Sequence, residues 1–476
     1  MTTRHYRVLS AMCLLATSTA CGDFVTGEKL DSDPNRTLSA PADRLFIASQ
    51  PNSYYILTGH ATRVLAMWMQ QMAGTDRQYT GYDLYSVTEG TFGEFTNVYV
   101  GGGLIDHRRI QAEATRTGNL TLRGIDKVWE ALTVSYAADN YGAIPYSEAV
   151  NPTATVPPKL DSQASVYAAL QILLDGAIAD LQAGQGRVGG LDLSFSGDNA
   201  AWIKAARSLK ARLFMHTAEV NLGAYALALA QAQQGISAPS GDLKTRHTAA
   251  SGEENIWWQF IARDRDSYIR PGKFLVDLMV ARKDPRLAQY FGRNDKGTFG
   301  GAAPGEGLDP DLHSNLSDAR LEPICDAKVV NGTGPCFRQP LVTWAETQGI
   351  IGEAAFRTGN FALARTALDA IRKDAGLDPI GGSLSGNALL KQVMEEKYIA
   401  LFQNAEVMQD YKRTCYPNLA PANNSDAAGI PARFLYPASE RTTNPNIPSG
   451  SEQPRRNAND PANATSVDGA RCLGQK

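Results

Sequence analysis

Two short aromatic segments carry the side chains best suited to holding a ligand. Trp257-Trp258-Gln259-Phe260 is followed by Arg263, Arg265 and Tyr268, while Tyr79, Tyr82 and Tyr85 follow Arg77 and Gln78. A sugar ring has an apolar face and a rim of hydroxyls, so its recognition calls for aromatic plates with amide, acid or guanidinium groups at their edges. Both segments have that mixture. Trp257, Trp258, Tyr268, Tyr79, Tyr82 and Arg263 are therefore the expected ligand contacts, with the proviso that adjacent tryptophans usually bury one member.

Groups that could break bonds are less well placed. Glu253-Glu254 and Asp264 with Asp266 are acid pairs, which hydrolyse glycosides when they flank the bond, but acid pairs in loops are far more often solvated surface. The six histidines His5, His60, His107, His216, His247 and His313 form no HExxH or similar set. Gly101-Gly102-Gly103 lacks the Lys-Ser/Thr of a phosphate loop and reads as a hinge before a helix. No catalysis and no cofactor are expected. Calcium at Asp309, Asp311 and Asp318 is the one metal left open, with a spacing that fits no EF-hand.

The beginning of the chain reads as an export signal. Arg4 and Arg7 are basic, Val8 to Leu15 is mostly apolar, and Ser18-Thr19-Ala20 supplies small residues before Cys21. The apolar run is too short to cross a bilayer, so it is expected to be a signal peptide, with Cys21 the candidate for lipidation. Ser18 stands where a lipobox more often has leucine, and ordinary cleavage after Ala20 is the alternative. No other stretch is expected to be long and apolar enough to span a membrane.

Export implies an oxidising compartment, in which Cys325, Cys336, Cys415 and Cys472 can form disulfides by any of three connectivities. The preferred pairing is local. Cys325 with Cys336 closes a short Gly/Pro loop, and Cys415 with Cys472 pins a proline-rich tail. A metal site is disfavoured because no pair has CxxC spacing and no histidine is near. With 43% hydrophobic and 20% charged residues, a formal net charge of -3 and no basic cluster, the 476-residue chain suits a large soluble body and excludes nucleic acid as a partner.

The elements that must position these residues are overwhelmingly helical. Val166, Leu170, Leu173, Ala177 and Leu181 recur at three- and four-residue steps between the capping candidates Asp161 and Ser162 and the glycines Gly184 and Gly186. Trp202, Ala206, Leu209, Leu213 and Val220 repeat the pattern behind Asp198. Leu341, Trp344, Gln348, Ile351 and Ala355 repeat it again and run into Ala364, Ala367, Leu368 and Ile371, like one tetratricopeptide-type pair in which Gly352 and Ala355 permit close approach to Ala364 and Ala367. Helix pairs are expected at about 55–72, 105–139, 161–220 and 341–405. From 235 to 340 periodicity is lost apart from a helix at 271–281, and a loop-rich excursion of that length is either functional or disordered. Its tryptophans argue against disorder.

Asp139-Asn140-Tyr141-Gly142-Ala143-Ile144-Pro145-Tyr146-Ser147-Glu148-Ala149 packs a glycine turn, a proline and a carboxylate behind an apolar helix; Gly142 closes the helix and Pro145 forbids its resumption. This segment resembles the signature of the SusD/RagB family of nutrient-binding outer-membrane lipoproteins. Three further segments, in the same order, resemble that family. They are Gly197-Asp198 with Trp202, Lys204, Ala206, Ser208-Leu209-Lys210 and Arg212-Leu213, then Thr343 to Glu353-Ala354, then Glu396-Lys397-Tyr398-Ile399-Ala400-Leu401-Phe402 with Glu406, Asp410, Arg413-Thr414 and Tyr416-Pro417. Tyr398 replaces the family's tryptophan, and Lys412 to Cys415 replaces an Arg-Arg-Thr-Gly run.

The resemblance implies a mainly α, tetratricopeptide-like helical-repeat scaffold of about four helix pairs with a long loop-rich insertion. The expected organisation is a signal peptide over 1–20, a lipidated linker over 21–45, helical-repeat parts over 46–234 and 341–416, a ligand-binding insertion over 235–340, and an irregular tail over 417–476 that is expected to wrap the surface. It also implies a non-catalytic protein, held on the outer membrane by lipid on Cys21 and facing the cell surface. Such a protein would capture an oligosaccharide or peptide and pass it to a TonB-dependent transporter of the SusC type. Two rivals remain: a lipidated tetratricopeptide scaffold that binds other proteins, and a secreted glycoside hydrolase.

Overall fold

The computed structural model describes residues 40–151, 153–154, 156–422 and 429–460; the expected signal peptide, Cys21 and Cys472 lie outside them. Residues from Leu45 onward form one unit dominated by helices. Its amino-terminal part runs α1 (Ala42–Thr58), α2 (His60–Trp68), a three-residue strand β1 (Met72–Gly74) and the short α3 (Arg77–Asp83). A stack of helices follows: α4 (Leu104–Thr117), α5 (Leu120–Tyr141), α6 (Gln163–Ala183), α7 (Asn199–Met215) and α8 (Ala224–Ala232).

Each helix of the stack packs on the next, and α8 then packs on α10 (Trp344–Arg357), which carries α11 (Phe361–Asp374) and α12 (Gly386–Ala400). The stack is therefore continuous in space although the chain leaves it for about a hundred residues. Within that excursion lie β2 (Leu243–Lys244), β3 (Ile269–Pro271) and α9 (Lys273–Arg282), which corresponds to the helix expected at 271–281, and β4 (Pro340–Val342) leads back. Helix α13 (Glu406–Thr414) closes the helical part.

Local chemistry explains where the helices begin and end. Asn119, Ser162, Asp198, Thr343 and Asn360 each accept a first-turn backbone N–H through a side-chain oxygen, a contact typically worth about 1 kcal/mol. Gly142 ends α5 at φ 83°, a conformation costly for any side chain, and Ile144 beyond it bridges to Asp161. Gly352 permits the close approach anticipated for it, but mainly toward α12: a Cβ there would lie 2.9 Å from Val393 Cγ1. Ala355, Ala364, Leu368, Leu389 and Val393 form one buried cluster at this junction.

Two expectations need correction. Helix α6 is, by length and composition, apolar enough to cross a membrane. It instead packs between α5 and α7, burying Val166, Leu170, Leu174, Ile178 and Leu181 while Ile172 faces outward. Among its described residues, the tail beyond Pro417 forms one short helix, Ala438–Thr443. It does not merely wrap the surface. Phe434 is fully buried and stacks on Phe92 with ring centres 3.8 Å apart, so the tail completes the aromatic core beside α2.

Candidate ligand-binding site

The two aromatic segments, far apart in sequence, meet. Strand β1 pairs antiparallel with β3, Met72 opposite Pro271 and Gly74 opposite Ile269. The pairing continues past the strands: Thr75 N–H donates to the Tyr268 carbonyl at 2.9 Å, Thr75 Oγ1 to the Ser267 carbonyl at 2.6 Å, and Ser267 Oγ to Asp76 Oδ2 at 2.6 Å. Asp76 caps α3, which packs so closely on β1 that a Cβ on Gly74 would lie 2.1 Å from the Tyr79 carbonyl oxygen. Tyr79 and Tyr82, one helical turn apart, are thereby delivered to Tyr268.

The result is a cluster centred on the buried Tyr79. Its ring centre lies 4.9 Å from Phe260, 5.5 Å from Tyr82 and 6.0 Å from Tyr268, all edge-on or tilted, as aromatic quadrupoles prefer. Beneath it, the Tyr79 hydroxyl meets His60 Nδ1 at 2.8 Å and accepts from Arg63 Nε at 3.3 Å, and the Arg63 guanidinium lies 4.1 Å over Phe260. Burial, reinforced by Arg63, lowers the His60 pKa to about 4, so this imidazole is neutral near pH 7. Above it, Tyr82 and Tyr268 are half-buried, and the exposed Arg265 guanidinium sits 5.7 Å from the Tyr268 ring centre. Tyr55 on α1, 42% exposed, lies within electrostatic reach of Arg63 and Tyr79. The arrangement is an aromatic platform with charged and amphipathic edges, able to stack a sugar ring.

Not every expected contact joins it. Trp257 is 2% exposed, because Asn255 caps the short helical turn through Trp257 N–H and Trp258 N–H and turns the first indole inward. It cannot act as an exposed plate. Tyr79 is equally buried and supports the platform from below. Trp258 is half-buried and donates Nε1–H to the carbonyls of Leu321 and Glu322, which ties this segment to the disulfide loop. Arg263 is exposed, but its guanidinium is held by Asp264 at 2.9 Å and Glu254 at 3.2 Å; after the π-helical turn Gln259–Asp264 it is Arg265 that stacks on the rings. Cys325 and Cys336 are disulfide-bonded with Cα atoms 5.1 Å apart, and Cys415 is buried and disulfide-bonded. Of the calcium candidates, Asp309 accepts from Asp311 N–H, Asp311 pairs with Lys296 at 3.3 Å, and Asp318 starts a separate short helix.

The signature residues lie elsewhere, in a buried ionic network. Arg212 Nε meets Glu346 at 2.6 Å and lies 3.6 Å from Glu406. Lys397 meets Asp410 at 2.7 Å, and Arg413 reaches Asp410 at 2.9 Å and Glu353 at 2.7 Å. Among the described residues three potential metal ligands converge, Asp139, His216 and Glu406. The His216 ring nitrogens already contact Asp139 at 2.9 Å and Glu406 at 2.8 Å on opposite sides, with Arg212 beside Glu406. That is the geometry of an imidazolium between two carboxylates. Although burial opposes the charge, the two acids win and raise the His216 pKa to about 10, while His216 and Arg212 hold Glu406 down at about 2 against its own burial.

The family model described as "Starch-binding associating with outer membrane", a SusD-like family, matches residues 34–373, and the chain belongs to this family of outer-membrane-associated binding proteins. No curated protein matches it. Among solved structures, a chitin-binding protein superposes with TM-score 0.72 at 21% identity, covering 88% of this chain and 100% of its own. A chitin-binding SusD homologue from Flavobacterium johnsoniae gives TM-score 0.72 at 18% identity over 89% and 99%. A SusD/RagB family protein from Bacteroides thetaiotaomicron gives 0.67 at 19% over 86% and 95%. The helical-repeat scaffold is thus a SusD-like fold.

Proposed function

We propose that the protein is a surface lipoprotein, anchored through Cys21, that captures an oligosaccharide on the platform of Tyr55, Tyr82 and Tyr268 and passes it, unchanged, to a TonB-dependent transporter of the SusC type. The observation that carries this reading is the convergence of residues 79–82 and 260–268 on one partly exposed aromatic surface. Stacked rings take the apolar face of a saccharide, and Arg265 at their edge can donate to its hydroxyls. One acyl chain holds a protein only marginally at a bilayer, so the anchor is expected to carry more than one chain.

The chitin-binding relatives make chito-oligosaccharides the first ligand to try. The test is titration calorimetry of the whole protein against chito- and malto-oligosaccharides and a peptide of similar length, repeated with Tyr82→Ala/Tyr268→Ala. The expected result is saccharide binding without turnover, weakened about tenfold or more by the double substitution. Binding of peptide alone, or saccharide binding indifferent to both tyrosines, refutes the platform. Release of shorter sugars would favour a hydrolase. The anchor is tested separately, by the mass of the amino-terminal peptide from membrane fractions.

A further inference from the structure

A second concavity is lined in part by the disulfide loop, where residues 286–290, 319–320 and 329–343 of the excursion cross the returning helical stack. It is an open cleft of about 860 Å³, within the range of sites that hold small organic ligands. One wall is aromatic: Tyr290 and Phe402 stack with ring centres 4.7 Å apart, and Phe337 adjoins them.

The charges lining the cleft divide into two kinds. Lys244 is matched by Asp242 at 3.3 Å, and Arg286 by Asp284 and Glu396, each at 2.6 Å. Arg320 and Arg338 have no carboxylate within ion-pair distance among the described residues. Arg320 lies 4.3 Å over Phe337 and 5.3 Å over Phe402, donates Nη1–H to Gln403 Oε1, and leaves its buried Nε–H without an acceptor. Arg338 donates only to backbone carbonyls, Thr245 at 3.1 Å and Ser194 at 3.5 Å. The buried Arg212 and Arg413 and the half-buried Arg282 each hold a carboxylate, whereas Arg63 and Arg433, among the described residues, share the lack of one. Burial lowers the pKa of Arg320 to about 10 and that of Arg338 as well, which marks charge that nothing nearby compensates. The remaining acids of the cleft, Asp242 and Asp374, repel one another, and Asp242 is already taken by Lys244.

We propose that this cleft is a second binding site, for a saccharide unit bearing an oxyanion, its carboxylate or sulfate drawn to Arg320 and Arg338 and its ring lying against the aromatic wall. The site shares no residue with the tyrosine platform. A planar guanidinium recognises either oxyanion by paired N–H donors, and such charge-assisted bonds are about twice as strong as neutral ones.

The whole protein is titrated with glucuronic acid, glucose 6-sulfate and glucose, as wild type, Arg338→Gln, Arg320→Gln and Arg320→Lys. At least one acidic sugar is expected to bind about tenfold or more tightly than glucose, with affinity falling as salt rises. Arg338→Gln, which removes no ion pair, should abolish that preference while oligosaccharide binding at Tyr82 and Tyr268 stays unchanged. Arg320→Lys should keep part of it, and it stands in should Arg320→Gln fail to fold. Equal affinity for acidic and neutral sugars, or an acidic preference that survives Arg338→Gln, overturns the proposal. Loss of the platform's ligand in Tyr82→Ala/Tyr268→Ala leaves this preference untouched, so the two readings fail separately.

Discussion

The buried ionic network and the aromatic platform are built on opposite terms. In the network, Arg212, Glu346, Glu353, Lys397, Glu406, Asp410 and Arg413 come from four helices, and each charge is buried and answered by another. Removing one partner strands the others in a poorly solvated interior, so every member specifies the rest. The platform tyrosines answer to no such constraint. Tyr55, Tyr82 and Tyr268 face solvent in part, and a different side chain there would alter what the surface binds before it altered whether the chain folds. The residues that make the family recognisable therefore report the scaffold, and the residues proposed to meet the ligand are not bound by it.

The sharpest way to break this contrast is to substitute on both sides and compare. Arg413→Leu, which leaves Glu353 without its cation and Asp410 with Lys397 alone, should lower unfolding free energy by about 3–5 kcal/mol in urea denaturation. A loss no larger than that of a platform variant would dissolve the distinction. His216→Gln should lose somewhat less, about 3 kcal/mol, since a neutral amide still offers one donor. Its pH dependence sharpens the point. The folded pKa of about 10 lies above the ordinary 6.5, so the stability contributed by His216 is complete below pH 6.5 and is lost as pH rises through 10. The variant should show no such alkaline decline.

On the platform side, Tyr82→Ala and Tyr268→Ala should each weaken saccharide binding about tenfold, roughly 1.4 kcal/mol, with a smaller change in thermal midpoint. The smallest expected effect concerns His60. Its folded pKa, about 4, lies below 6.5, so its contribution is present above pH 6.5 and fades as pH falls toward 4. His60→Gln should flatten the stability profile across that window, measured by thermal melts from pH 7 to pH 4, while leaving the alkaline limb unaltered.

How much of this was legible follows from the same contrast. The three- and four-residue steps behind Ser162 and Asp198 gave the stack, because an apolar stripe and a cap are local facts. Gly142 and Pro145 announced the end of α5, and the eleven-residue spacing of Cys325 and Cys336 suited the disulfide they form. Tyr55 went unnoticed because it adjoins Tyr54 in a helix. Neighbours there point about 100° apart, and sequence does not tell which of two tyrosines faces the core. The same ambiguity assigned Trp257 to the surface, although Asn255 offered a faint signal as the residue that orients the turn. The meeting of Tyr79 with Tyr268 depends on a three-residue pairing between β1 and β3, too brief to leave a period in the sequence.

The insertion of Phe434 beneath Phe92 and Trp68 carries a consequence for biogenesis. A chain whose α2 is roofed by a segment so much later in sequence cannot finish that region until that segment is available. Completion must wait for the stretch around Phe434, which makes it the latch of the aromatic core beside α2.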